Sequence, residues 1–242
     1  MTILFIPIAS LSRSKSRLAD CLTQEQRQKF TLALFRDLAQ KIQDLSIFQA
    51  KIIYSPDKQI LDLAENYDLI PIRETPSQNS KTFNNVIGEM DEIAISQYQA
   101  QASLIIFLDL PLITQQNIID LHSLLKKNQV VISPAINSAG ISALGRHPVQ
   151  IIQPKFDDPL DPSLVALHKM IKRRNIKQFK LYDSLRTSFD VDIKSDLLLT
   201  YEYLRIFKLT DTNTFQFLEN NLDFKLCKNG ALNNRDFIIK EK

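Results

Sequence analysis

Ile3-Leu4-Phe5-Ile6-Pro7-Ile8-Ala9-Ser10-Leu11-Ser12-Arg13-Ser14-Lys15-Ser16-Arg17-Leu18 is an apolar run that breaks into a short loop of three cations and four serines. A short β-branched and aromatic run with turn chemistry behind it predicts a buried strand. The segment that follows, 24–43, repeats Phe30, Leu34, Leu38 and Ile42, a helical stripe that needs a partner surface. Thr23 and Gln26 stand at the spacing of a capping box at its start. The same alternation recurs down the chain. Strands are expected at 3–8, 50–54, 69–72, 104–108 and 130–132, and helices at 24–43, 58–66, 83–98 and 115–127. Strands alternating with amphipathic helices predict an α/β protein with a parallel sheet and crossover helices.

Beyond Ser133 the pattern weakens. A short strand is expected at 141–144, a helix at 162–175, strands at 177–182 and 187–191, and a helix at 195–207 with Asp196 in its first turn. Residues 208–242 are richer in Asn and Asp and less periodic, so the chain reads as a domain over 1–207 with a C-terminal appendage over 208–242.

Composition narrows the chemistry. The 242 residues include only 4 glycines, far below the usual share of about 7%. Glycine-rich phosphate grips are absent, so any nucleotide must be held by side chains and helix ends. A net charge of +3 does not suit a nucleic-acid binder. Cys21 and Cys227 fit neither a disulfide framework nor a zinc site. The N-terminal residues lack the form of a signal peptide, and no apolar run approaches the roughly 18 residues of a membrane span. The expectation is a soluble cytoplasmic protein that binds neither membrane nor nucleic acid.

Three segments can carry chemistry. The loop with Arg13, Lys15 and Arg17 lies just past a strand's carboxyl end, where ligands bind in open α/β sheets. Its cations suit phosphate oxygens, and a solvated basic loop is the competing account. Asp109 in Phe107-Leu108-Asp109-Leu110-Pro111-Leu112 ends a buried apolar strand. Such a carboxylate must be paired or bind a cation, magnesium included, or else cap the next turn. Asp190 and Asp192 sit two residues apart, so an extended backbone points both the same way and they could complete a metal site with Asp109. Taken without the first two segments, helix-start chemistry before Asp196 is the stronger account of them. His122, His147 and His168 have no metal spacing, and the lysines and arginines of 169–180 read as a solvated helix face.

Taken together, these segments resemble the 2-phospho-L-lactate guanylyltransferase (CofC) family of the MobA-like nucleotidyltransferase group. Pro7, Lys15-Ser16-Arg17-Leu18, Leu22, Arg27, Thr82-Phe83-Asn84, Asp109-Leu110-Pro111-Leu112 and Asp190-Val191-Asp192-Ile193-Lys194-Ser195-Asp196-Leu197 follow the family's motifs in order. The resemblance implies a MobA-like α/β fold, a mostly parallel twisted sheet with helices on both faces. It also implies transfer of GMP from GTP to a small phosphorylated carboxylic acid: 2-phospho-L-lactate, phosphoenolpyruvate or 3-phosphoglycerate. That reaction belongs to coenzyme F-420 biosynthesis and needs Mg²⁺. On this likeness Lys15 and Arg17 would hold the triphosphate, Asp109 with Asp192 and Asp190 the metal, Asn84 the nucleoside, and Gly140, Ser142 and Ser163 the acceptor. A homodimer is compatible with it.

The chain departs from the family at Ala9, where a lysine is usual, and at Ile141 and Ser142, which replace Thr and Asn. Asp157 stands where a glycine would approach an anion. The nucleotide side is therefore better kept than the acceptor side, and the alternatives are a nucleotidyltransferase with a different acceptor or a catalytically silent paralogue that binds nucleotide or a partner protein through 208–242.

Overall fold

The structure, a computed structural model, describes residues 1–76, 81–229 and 234–241. Its first strand, β1 (Thr2–Pro7), is wholly buried. Leu4 and Ile6 pack on one face and Ile3 and Phe5 on the other, so the sheet is covered on both sides. The chain then runs through α1 (Gln24–Ile42), β2 (Ala50–Ser55), α2 (Lys58–Glu65), β3 (Ile70–Arg73), α3 (Phe83–Ser96), β4 (Ala102–Ile106), α4 (Gln115–Leu125) and β5 (Val130–Pro134). It continues with β6 (Ile141–Arg146), α5 (Ser163–Arg173), β7 (Phe179–Leu181), α6 (Leu185–Ser188), α7 (Lys194–Ile206), α8 (Asn213–Asn221), β8 (Leu222–Asn229) and β9 (Asn234–Glu241).

Seven strands form one sheet in the order β3-β2-β1-β4-β6-β5-β7, and β8 and β9 form a separate hairpin. The large sheet is parallel except for β6, which runs antiparallel to both β4 and β5. Helices α1, α2 and α4 cover one face through Phe35, Ile42, Ile60, Ile118 and Leu121. Helix α3 covers the other through Ile87, Met90 and Ala94, with α5 beside it through Leu167 and Ile171. The α/β reading with a mostly parallel sheet and two covered faces therefore holds. No helix among the described residues is long and apolar enough to cross a membrane.

The capping box of α1 is formed: the Gln26 amide donates to Thr23 Oγ1 at 3.2 Å and the Thr23 amide to Gln26 Oε1 at 2.9 Å. The α1 stripe serves two cores. Leu38 and Ile42 face the sheet, whereas Phe30 and Leu34 meet α8, where Phe30 and Phe217 lie 5.5 Å apart. Steps of four residues on a helix of 3.6 per turn advance the stripe by about 40° each time, so it winds from one partner to the other.

The strand expected at 187–191 is replaced. Thr187 and Ser188 instead close the short helix α6, both amides returning to the Ser184 carbonyl. Phe189–Val191 then crosses the top of the sheet as extended chain, its alternation reflecting burial from two sides rather than pairing.

Helix α8 is anchored by a carboxylate on α1. Asp37, 3% exposed, accepts from the Asn213 amide at 2.7 Å, the Asn213 side chain at 2.9 Å and the Thr214 amide at 2.8 Å. A negative charge on the first amides of a helix satisfies orphan donors and meets the helix dipole. Asp37→Ala is expected to cost about 2 kcal/mol. Hydrogen exchange should show α8 amides losing protection ahead of the sheet; unchanged α8 protection would refute this anchoring role.

Candidate active site

The loop after β1 is tied down before it reaches its cations. Leu11 is buried, its amide donating to Asp57 Oδ2 at 2.9 Å. Ser14 Oγ donates to the Leu11 carbonyl at 2.9 Å, and the Thr31 hydroxyl of α1 lies 3.0 Å from Ser14 Oγ. Lys15 follows at φ 50°, ψ 40°, a left-handed conformation that costs a residue with a Cβ roughly 1–2 kcal/mol. That bend turns its side chain back over the sheet.

There it meets the two acidic segments. Lys15 Nζ donates to the Val191 carbonyl at 2.6 Å and lies 3.3 Å from Asp109 Oδ2 and 3.7 Å from Asp192 Oδ1. Arg17 reaches Asp192 Oδ2 at 2.9 Å. The Val191 amide donates to the Asp109 carbonyl at 3.0 Å, which locks the turn after β4 to the crossing segment. The geometry thus brings Lys15, Arg17, Asp109 and Asp192 to one point at the carboxyl ends of β1 and β4. Two carboxylates and a carbonyl round one ammonium define a place for positive charge.

Asp196 holds the second acidic segment, as its place in the first turn of α7 suggests. Its Oδ2 accepts from the amides of Asp192 at 2.8 Å and Ile193 at 2.9 Å, and from Asn137 Nδ2 at 2.9 Å. Asn137 also donates its amide to Asp190 Oδ1 at 3.1 Å and its side chain to the Asp190 carbonyl at 3.0 Å. A lone asparagine in a loop carries no periodic signal, so sequence reasoning passed over this clamp. Asp190 is therefore turned toward Asn137, and burial, with the charges of Asp109 and Asp192, pushes its carboxyl up to about 6.

Because the folded value lies above the usual carboxylate range of about 4, the folded protein binds more proton than the unfolded chain between these limits. This group's contribution to stability should fall as pH rises from about 4 to 6 and stay low above that. Asp190→Asn should flatten that part of the stability profile. Carbonyl NMR of the unmodified protein should show the Asp190 step; a midpoint near 4 would contradict the burial argument.

Three connected cavities surround these groups. The largest, ≈ 570 Å³, lies beyond Asp109, Asp190 and Asp192 and is lined by the 137–142 loop and by 156–163. A second, ≈ 270 Å³, holds Arg13, Lys15 and Arg17 and shares Arg17, Phe107, Asp109 and Asp192 with the first. A third, ≈ 290 Å³, shares Pro7, Ile8, Ala9 and Arg13 with the second.

Gly140, Ser142 and Ser163 all line the large cavity. Ser142 is 1% exposed and its hydroxyl donates to the Ser133 carbonyl at 3.1 Å, which leaves only acceptor capacity toward a ligand. Asn84 does not line any of these three cavities. Its Oδ1 accepts from the Phe156 amide at 2.8 Å, and its own amide lies 3.4 Å from Asp157 Oδ2. Asp157 thus faces the start of α3, and from this loop Asp158 and Asp161 join Asp109, Asp190 and Asp192 on the cavity wall. Phe83, Phe107 and Phe156 form an aromatic corner with centroids 4.9–5.7 Å apart, another feature the motifs did not signal.

Among the described residues no group of three or more His, Cys, Asp and Glu side chains is placed to hold a metal. The donor set is two carboxylates, Asp109 and Asp192, which suits a cation that keeps water and substrate phosphate in its remaining positions, as magnesium does.

Comparison with known proteins gives this trough its family. The family described as guanylyl transferase CofC like matches residues 1–228. The chain belongs to that family. A 2-phospho-L-lactate guanylyltransferase of Methanocaldococcus jannaschii is 29% identical over 192 residues, 79% of each chain. A phosphoenolpyruvate guanylyltransferase of Thermobaculum terrenum is 24% identical over 194 residues, 80% of each.

Solved structures agree on the CofC-like fold. A protein named as a nucleotide-diphospho-sugar transferase from Desulfovibrio desulfuricans G20 has a TM-score of 0.70 at 12% identity, covering 90% of this chain and 94% of that one. A nucleotidyl transferase from Methanothermobacter thermautotrophicus has a TM-score of 0.59 at 12% identity, covering 85% and 99%. The CofC-like chain is a nucleotidyltransferase.

Proposed function

We propose that the protein transfers GMP from GTP to a small phosphorylated carboxylic acid with Mg²⁺ present. The observation that supports this most is the meeting of Lys15, Arg17, Asp109 and Asp192 where two cavities join. The cationic cavity suits a triphosphate, and the large cavity beyond the carboxylates leaves room for an acceptor. In the reaction a phosphate oxygen of the acceptor bonds to the α-phosphorus of GTP as the α–β bridging bond breaks, and pyrophosphate leaves with that electron pair.

No protein nucleophile is needed, so the residues act by position and charge. Lys15 and Arg17 hold the triphosphate and offset negative charge at the leaving pyrophosphate. Asp109 and Asp192 would hold Mg²⁺, which supplies further charge neutralisation. Asp190 and Asn137 keep the crossing segment rigid, and Asp196 sets the backbone of Asp192. Ser163 at the start of α5 and the 140–142 strand end face the acceptor. Names of the relatives support 2-phospho-L-lactate and phosphoenolpyruvate as the acids to try, with 3-phosphoglycerate beside them.

The test incubates the protein with GTP, Mg²⁺ and each acid, and reads pyrophosphate release and product mass. A guanylylated acid carries the proposal. Turnover of another nucleotide alone, or transfer to none of these acids, would overturn it.

A further inference from the structure

The third cavity differs in chemistry from the other two. Its walls are apolar or flat: Pro7 and Ile8 from the end of β1, Phe83 and Val86 from the start of α3. One edge carries Tyr54, Glu74 and Lys81. Lys81 Nζ donates to the Thr75 carbonyl at 3.0 Å and to Glu89, and forms an ion pair with Glu74 at 3.4 Å. Glu89 receives both Lys81 and the Tyr54 hydroxyl, so its carboxylate is committed within the protein.

Glu74 is not. Among the described residues its carboxylate has Lys81 as its one polar partner, at 3.4 Å, and the side chain keeps 18% exposure on the cavity wall. A carboxylate offers about four acceptor sites, so most of this one's capacity is open.

We infer that the third cavity holds the nucleobase and that Glu74 selects guanine by accepting from its N1–H and 2-amino group. The inference rests on the guanylyl-transfer reading and names the residue that would set its base preference. The geometry orders the compartments: base between β1 and α3, triphosphate at Arg13 and Lys15, acceptor beyond Asp109. Among the common bases only guanine presents two adjacent donors on its pairing edge. Adenine and cytosine place a ring-nitrogen lone pair beside their amino group, and uracil flanks its single N–H with two carbonyls. Each would set a lone pair against the carboxylate, which a partly dehydrated site penalises strongly. Lys81, Glu89 and Tyr54 are positioning residues that fix where the Glu74 carboxylate stands.

Calorimetry on the full chain with Mg²⁺ and without acceptor tests this, using GTP, ITP and ATP. ITP keeps N1–H and lacks the 2-amino group. The unmodified protein should bind GTP roughly ten- to a hundredfold more tightly than ITP, the span expected for one hydrogen bond to a charged group, and ATP more weakly than GTP. Glu74→Gln should lower GTP affinity to the level of ITP while changing ITP little, because its amide turns a donor toward a donor. A merely structural Glu74 would weaken GTP and ITP together. Equal GTP and ITP affinity in the unmodified protein, or a Glu74→Gln variant that keeps the preference, overturns the inference and leaves guanylyl transfer standing. Binding of no nucleotide by the unmodified protein overturns both.

Discussion

Asp109→Asn should slow guanylyl transfer by about 10²- to 10³-fold in kcat, with the fold intact. One lost contact to a catalytic cation removes several kcal/mol of charge stabilisation in the transition state. The fold should hold because Lys15 keeps the Val191 carbonyl and Asp192, and a partly exposed ion pair contributes at most about 1 kcal/mol. Lys15 supplies the sharper companion. Its left-handed backbone is a conformation glycine adopts freely, so Lys15→Gly should stay within about 1 kcal/mol of the parent in stability, the strain relieved offsetting much of the lost bond to the Val191 carbonyl. It should also raise the KM for GTP at least tenfold, about 1.4 kcal/mol of lost binding. A thermal melt and a titration with GTP read the two effects separately. Loss of stability with GTP affinity unchanged would show that the loop is a structural tie and nothing more.

The strain at Lys15 also shows what the sequence conceals. Motif and composition place a cation after the first strand, yet nothing in Ser14-Lys15-Ser16 announces a positive φ. The bend is imposed by ties on either side, Ser14 to Thr31 and Leu18 to the Lys15 carbonyl. Sheet strands and the helices of the first half were legible because each has one periodicity and one buried face. The Thr23–Gln26 box was legible because capping is local chemistry.

Direction was not legible. Strand β6 has the same apolar run whether it lies parallel or antiparallel, and between β4 and β5 it packs closely on α4 at Gly145. A Cβ there would come within 3.1 Å of the Leu125 side chain. Residues 187–191 misled for a related reason. Phe189 and Val191 enter the core while Ser188 and Asp190 are also buried, so burial from two sides imitates a strand.

The meeting of Arg17 with Asp192 spans 175 residues of chain, and only their shared position at strand and helix ends relates them. Asn137, which clamps the second acidic segment, and Glu74, open on the wall of the third cavity, carry no local pattern. Their roles come from what the fold sets opposite them.

Asp91→Ala should be the most damaging single change to stability, at about 3–5 kcal/mol. Arg146 on β6 is 0% exposed and Asp91 on α3 is 1% exposed. The guanidinium donates to Asp91 Oδ2 at 2.8 Å and to its Oδ1, with longer contacts at 3.3 Å to the Ile152 carbonyl and to Ser103 Oγ of β4. One Arg146 atom, Nε, has no partner among the described residues. Burying both charges costs more than either alone could recover, and the bidentate contact offsets most of it. Removing Asp91 leaves a full positive charge where water cannot follow, and a marginally stable domain loses a fifth or more of its margin of about 5–15 kcal/mol. The pair is costly to break without being an efficient source of stability. Asp91→Leu together with Arg146→Met, which fills the space with apolar groups, should therefore recover most of the loss or exceed the parent. Urea denaturation of the two single variants and the double closes the cycle. A cost below about 1 kcal/mol for Asp91→Ala would mean that water reaches Arg146 and that the pair is less enclosed than its burial indicates.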